Sequence, residues 1–340
     1  DDIQMGIVAG FLKKELPNVP VLADKTPIPI INTALNAVGG ADAGLSERRA
    51  ESFFFTPFQA YSESTGAMPI SKISTGTSDG DVTLGSLVAI SGAAANPNMG
   101  FHTSPTVAFL LTFFNVRLGW WVGVPSRLRC FTGWLKRRFN IAYVIFELFG
   151  TADTDDAYVN LSDGGHFENL GLYELVRRRC SLIIVGDGEQ DDEYVFESLG
   201  GAIRKCRIDF GAEIDIDVSI IRPTKKGKKN RRHWAVGEIK YRDQEARGYI
   251  LYLKSSFTGN EPYDDLKSSF TGNEPYDVKQ YKFQNKEFPQ QSTGDQFFSE
   301  SQFESYRQLG IDAATELNEA LGESKFETRK DWVEQARLLY

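Results

Sequence analysis

The segment Leu161-Ser162-Asp163-Gly164-Gly165-His166-Phe167-Glu168-Asn169 carries the strongest chemical signal in the chain. It places a carboxylate where an apolar strand pattern ends, followed by two glycines and a helical pattern. In open α/β sheets, ligands bind at that edge. Glycines there let the backbone approach a ligand closely and permit positive φ. Asp163 is therefore a candidate general base, able to take a proton from a hydroxyl or a water. The same spacing suits a helix cap, because an aspartate accepts hydrogen bonds from N–H groups of a first helical turn. Spacing alone does not separate the two roles.

Other chemistry-bearing residues are more scattered. Gly76-Thr77-Ser78-Asp79-Gly80 is the one G-x-S-x-G match, making Ser78 a candidate nucleophile. A nucleophile elbow needs a buried strand before it and a helix directly after it. Residues 69–74 make a poor strand, broken by Ser71 and Lys72, although a helical pattern follows from Asp81. A polar turn is the plainer reading of Ser78. His102, His166 and His233 are far apart in sequence. A triad of Ser78 and His233 with an aspartate is formally allowed, because triad members need not be sequential; hydrogen-bonded or surface histidines are the plainer expectation. Asp187, Glu189, Asp191, Asp192 and Glu193 follow a strand but lack the spacing of a calcium loop. A solvated loop is expected there in preference to a divalent-cation site. Cys130, Cys180 and Cys206 offer neither a disulfide framework nor metal-ligand spacing. They suit a reducing compartment, and no metal or cofactor is expected.

The composition narrows the function classes. The 340 residues include 38 Lys+Arg and 46 Asp+Glu, for a formal net charge of −8. General nucleic-acid binding needs a basic footprint and is not expected. A hydrophobic share of 41% with 25% charged residues excludes wholesale disorder. Six basic residues nevertheless lie between Lys225 and Arg232. They read as a solvated hairpin tip or as an attractor of anionic lipid, at about 1 kcal/mol per basic residue near such a surface. The stretch from Thr106 to Val124 holds Phe113, Phe114, Trp120 and Trp121, with Asn115 and Arg117 in its middle. A charge at the bilayer centre costs ~3 kcal/mol, so a spanning helix is rejected. A buried helix is expected, with an apolar surface that meets lipid as the functional alternative.

The elements that must position Asp163 can be read from periodicity. Residues 28–35 and 52–56 are short apolar strands, the second stopped by Pro57. A helix runs from Asp81 to about Ala95. Strand 158–161, helix 167–179, strand 182–185 and helix 196–208 then alternate. Strand–helix–strand–helix order predicts an α/β fold with a mainly parallel sheet and helices on both faces. Further on, residues 214–220 alternate as a half-exposed strand. Residues 234–239 and 248–253 suit an antiparallel hairpin, and residues 299–321 and 329–340 suit helices. The organisation expected is a catalytic α/β portion over residues 1–222 and a hairpin-and-helix extension over residues 223–340. The twelve residues 253–264 repeat identically as 266–277. Two copies do not make a solenoid, and an insertion in a loop is expected, since loop closure entropy grows slowly with length.

Several segments together resemble the patatin-like and cytosolic phospholipase family, in its phospholipase B branch. The Asp163-Gly164-Gly165 turn with Phe167-Glu168-Asn169-Leu170-Gly171-Leu172-Tyr173-Glu174-Leu175 resembles its second catalytic element. Residues 27–36 resemble its pre-site strand, residues 51–58 its Phe-Thr-Pro strand, and residues 89–97, which include Ser91, its small-residue helix end. The matches stand in the family's order. The resemblance implies a FabD/lysophospholipase-like fold and a Ser–Asp dyad in which Asp163 takes the serine proton directly. It implies that Gly164 and Gly165 shape the turn, and that His166, Asn169 and Ser91 stand around the pocket. The family's elbow lies N-terminal to the Pro27 region, so the serine is expected upstream of Asp1. It further implies a phospholipid or lysophospholipid substrate and a cytoplasmic location with peripheral membrane contact through Phe113, Phe114, Trp120, Trp121 and the Lys225 to Arg232 run. Two other readings remain: a non-catalytic membrane or protein interaction module, and a self-contained esterase using Ser78.

Overall fold

A computed structural model describes residues 27–37, 48–75, 82–93, 120–125, 158–222, 232–242, 247–256, 276–292, 295, 297–322 and 329–340. The chain divides into two compact units, residues 1–169 and 170–340.

The first unit is built on strands β1 (Ile31–Asn36), β2 (Ala50–Phe55), β3 (Gln59–Ser62), β4 (Gly66–Pro69), β5 (Ser74–Thr75), β6 (Trp120–Gly123) and β7 (Tyr158–Asp163). Their order is β4-β3-β2-β1-β7-β6-β5, and every pairing is antiparallel. The aromatic run of β2 makes it the most apolar strand, and all six of its residues are buried. Phe53 and Phe55 pack with ring centroids 5.0 Å apart. Each buried ring contributes about 1.5–3 kcal/mol of apolar transfer. Helix α1 (Leu84–Ser91) is started by Thr83, whose hydroxyl accepts from Ser86 N–H in a reciprocal capping box. It lays Leu87 and Ile90 onto a core formed with Leu35, Val159 and Leu161.

The second unit holds α2 (Leu172–Arg177), β8 (Leu182–Asp187), α3 (Glu197–Phe210), β9 (Glu213–Ile216), β10 (Trp234–Lys240), β11 (Arg247–Lys254), α4 (Tyr276–Gln284), α5 (Glu300–Leu321) and α6 (Arg329–Leu339). Its sheet runs β8-β11-β10-β9. The β8–β11 pairing is parallel and the other two are antiparallel. Leu317 and Leu321 of α5 and Ala336 of α6 join Trp234, Tyr249 and Leu251 in one core. Val278, Tyr281, Phe288 and Leu309 form another.

A mainly parallel sheet with helices on both faces is therefore not what the chain forms. Periodicity locates strands but does not choose their partners. β7 and β8, read as neighbours across a helix, belong to different sheets. The apolar run in β8 is buried on alternate residues only, leaving Ile184 57% exposed, which is the pattern of a one-sided strand. The expected helix at residues 167–179 is shorter, because Gly171 takes a φ of +69° and α2 begins after it. Trp120 and Trp121 lie in strand β6, not in a helix, paired with Leu161 and Asn160 of β7. The strand expected to continue to Ile220 stops at Ile216, where Asp217 accepts from Ser219 N–H in a turn. Residues 257–275, most of the duplicated segment, lie outside the described residues. Of the two copies, the first begins at the end of β11, and the last two residues of the second open α4.

Candidate active site

Asp163 ends β7, opposite Thr33 of β1. Side chains alternate faces along a strand, so Ser162 and Asp163 diverge. Ser162 enters a buried polar line. Asn36 Nδ2 donates to Asn160 Oδ1 (2.8 Å) and to Ser162 Oγ (3.0 Å), and Ser162 Oγ lies 2.8 Å from His166 Nδ1. Asn36, Asn160 and Ser162 are all fully buried. A buried hydrogen-bonded network of this kind restricts the side chains it joins. Here it anchors His166 on the far side of the turn that follows Asp163.

Asp163 itself is half-buried. Its Oδ1 accepts from Gly165 N–H at 2.8 Å, and its own N–H reaches Ala93 O at 3.4 Å. That carboxylate bond caps the short 3₁₀ turn Gly164–His166, so the capping role read from the spacing is present. It uses one oxygen. Among the described residues the carboxylate makes no ion pair and no second hydrogen bond.

The two glycines are required for different reasons. A Cβ on Gly164 would sit 2.8 Å from the backbone oxygen of Asn32. That oxygen also accepts from Ser91 Oγ at 2.8 Å. The end of α1, β1 and the Asp163 turn thus meet at one carbonyl, and Ser91 serves as a tie between elements. A Cβ on Gly165 would meet Asn169 Oδ1 at 2.6 Å and Asp163 Oδ1 at 3.2 Å. Gly165 therefore lets its own N–H reach the carboxylate while Asn169 lies alongside. Asn32 was not singled out by sequence reasoning. Its Oδ1 is buried at this corner without a hydrogen-bond partner among the described residues. The available signal was a polar side chain inside the apolar run Ile30-Ile31-Asn32-Thr33-Ala34-Leu35.

The remaining candidates fall elsewhere. Ser78, His102, Phe113, Phe114 and residues 223–231 lie outside the described residues. Trp120 is partly buried against the core of the first unit. His233, in the second unit, is 4% exposed; its Nδ1 lies 3.2 Å from Ser256 Oγ, and its Nε2 is 3.9 Å from a carboxylate oxygen of Glu316. The acidic cluster is not simply a solvated loop. Asp187 pairs with Lys254 Nζ at 3.0 Å, with both side chains within 2% of full burial, and it also accepts from Tyr252 OH. Asp191 accepts from Val195 and Phe196 N–H at 2.8 Å, at the start of α3. Burial, with Asp187 alongside, pushes the Tyr252 phenol well above its ordinary value, so it stays a donor. Among the described residues, no three metal-ligating side chains cluster, and no helix is long and apolar enough to cross a membrane.

Comparison with known proteins finds likeness among solved structures alone. No protein-family model and no curated protein matches the chain. Among solved structures, the chain is similar to human GIVD cytosolic phospholipase A2, at 13% identity and a TM-score of 0.48. The match covers 93% of this chain and 45% of that one, so the chain spans less than half of that protein's length.

Proposed function

We propose that this chain carries the general base, Asp163, of a Ser–Asp hydrolase acting on carboxylic esters of glycerophospholipids or lysophospholipids. The observation that carries the reading is the state of the carboxylate. One oxygen is oriented by Gly165 N–H, the side chain is half-exposed, and no described cation neutralises it. A base must be held without being spent, and this one is. The ordered resemblance of residues 27–36, 51–58, 89–97 and 161–175 to the phospholipase family supplies the reaction class.

In this reading a serine upstream of Asp1 passes its proton to Asp163 as its oxygen attacks the ester carbonyl. The tetrahedral intermediate collapses, and the leaving alcohol takes that proton back. A water, deprotonated by the same carboxylate, then releases the fatty acid. Ser162 and His166 position the turn and do not touch substrate.

A positioned base of this kind contributes about 10²–10⁴-fold in rate. In the protein with its upstream residues present, Asp163→Asn is expected to lower hydrolysis of a lysophosphatidylcholine by at least 10²-fold. Asparagine can still accept from Gly165 N–H, so the denaturation midpoint should not move. Near-wild-type hydrolysis by a folded Asp163→Asn protein would overturn the assignment.

A further inference from the structure

The buried polar line beside Asp163 ends on one group that can change its charge, the imidazole of His166. Its partner Ser162 is fully buried. Among the described residues the Ser162 hydroxyl meets Asn36 Nδ2 at 3.0 Å, Asn36 Oδ1 at 3.4 Å and His166 Nδ1 at 2.8 Å. A hydroxyl has one hydrogen to give and two lone pairs. Asn36 gives one amide hydrogen to Asn160 Oδ1 at 2.8 Å and the other to Ser162 Oγ. The Ser162 hydrogen then goes to the closer acceptor, His166 Nδ1, and not to Asn36 Oδ1 at the limit of hydrogen-bond length. The neutral imidazole therefore carries its own proton on Nε2.

We propose that this arrangement is a proton-driven switch on the Asp163 turn. A proton arriving at Nδ1 makes that atom a donor. Ser162 Oγ then accepts from it, using its second lone pair. The hydroxyl hydrogen turns to Asn36 Oδ1, the acceptor that remains. Asn36 still donates to Ser162, so the line reverses at one hydroxyl and every hydrogen keeps an acceptor. The reversal leaves a positive charge at the end of the short 3₁₀ turn that Asp163 caps. An opposite charge nearby favours an ionised carboxylate and so weakens it as a proton acceptor. Hydrolysis should accordingly fall as His166 is protonated. That effect rests on the reading of Asp163 as the base; the switch itself does not.

The surroundings permit the change. His166 is half-buried, so its proton can come from solvent while Ser162 stays dry. The turn packs against β1 and β2. β1 and α1 carry no ionisable side chain. β2 carries Glu51, whose carboxylate accepts from Ser64 N–H at 2.9 Å. β7 carries Tyr158 at its far end and Asp163 at its near end, and the buried Glu168 follows the turn. On these elements the imidazolium meets carboxylates and no cation.

Two measurements test the proposal. The full chain, labelled with ¹⁵N-histidine, is followed by long-range ¹⁵N–¹H correlation from about pH 8 to about pH 5, a range that spans the ordinary imidazole titration. The His166 signals are assigned by their loss in His166→Asn or His166→Gln. The Nε2–H tautomer is expected at the upper end, with Nδ1 gaining a proton on the way down. An Nδ1–H tautomer at the upper end, or no proton uptake at the lower, would overturn the switch. In the protein with its upstream residues present, hydrolysis of a lysophosphatidylcholine is expected to fall about tenfold from about pH 8 to about pH 5.5, roughly one unit below an ordinary imidazole value. Asparagine at this position can still accept from Ser162 and cannot be protonated, so the fall in His166→Asn should be less than about twofold. Equal falls in the two proteins would overturn the link between His166 and the base, even where loss of activity in Asp163→Asn upholds the reading of Asp163. Should the unaltered protein not hydrolyse the lipid at all, that reading fails, and the tautomer decides the switch by itself.

Discussion

Replacing Gly164 by alanine tests whether the Asp163 turn is held by close backbone contact. The added Cβ would lie 2.8 Å from Asn32 O and 3.2 Å from Asn32 C. Ordinary contact at carbon–carbon distances is about 3.5–4.0 Å, so one side must yield. Neither side is a flexible side-chain end. Asn32 is in β1, registered opposite Phe54 of the fully buried β2, and its carbonyl also accepts from Ser91. The strain therefore falls on the turn, at about 1–3 kcal/mol, the usual cost of overpacking. Gly186→Ala is the matched control, since a Cβ there has nothing within 4 Å. Urea unfolding of both variants checks the pair. Gly164→Ala should lose stability in that range, while Gly186→Ala stays within about 0.5 kcal/mol of wild type. Equal midpoints for Gly164→Ala and wild type would show that the turn is loosely packed, and would remove the physical reason given for the first glycine.

Lys254 and Asp187 form a buried pair, so Lys254→Met should destabilise by about 3–5 kcal/mol in chemical denaturation. Asp187→Asn in the same chain should recover much of that loss. A cost below about 1 kcal/mol would mean that the pair behaves like a solvated one. Burial is the largest cause raising the phenols of Tyr173, Tyr241 and Tyr252 above their ordinary value of 10.0. Unfolded tyrosines release protons near that pH while the folded ones retain them. Stability contributed by these residues is thus complete below about pH 10 and falls as pH rises beyond it. Unfolding midpoints measured across the alkaline range check this, and a flat profile would contradict it.

The turn that carries Asp163 was legible in sequence, and its long-range supports were not. A carboxylate followed by two glycines after Tyr158-Val159-Asn160-Leu161 marked a strand followed by a turn, although the strand runs two residues further than read, to Asp163. Nothing local indicated that Asn32, 132 positions before Gly164, would press on it, since strand pairing follows from burial across the whole sheet. Asp187 read as part of an acidic loop because its partner Lys254 stands 67 residues away, in a segment conspicuous only as a repeat. Trp120 and Trp121 read as helix within an apolar stretch, yet aromatic residues fit a pleated, half-buried surface equally well.

The central claim is the proposal that Asp163 is the general base of a Ser–Asp dyad. Covalent labelling with a fluorophosphonate, with the modified residue located by mass spectrometry, tests it most directly in the protein with its upstream residues present. The account predicts a single labelled serine upstream of Asp1, with labelling at least 10²-fold slower in Asp163→Asn. Labelling of Ser78, or an unchanged rate in Asp163→Asn, would contradict it.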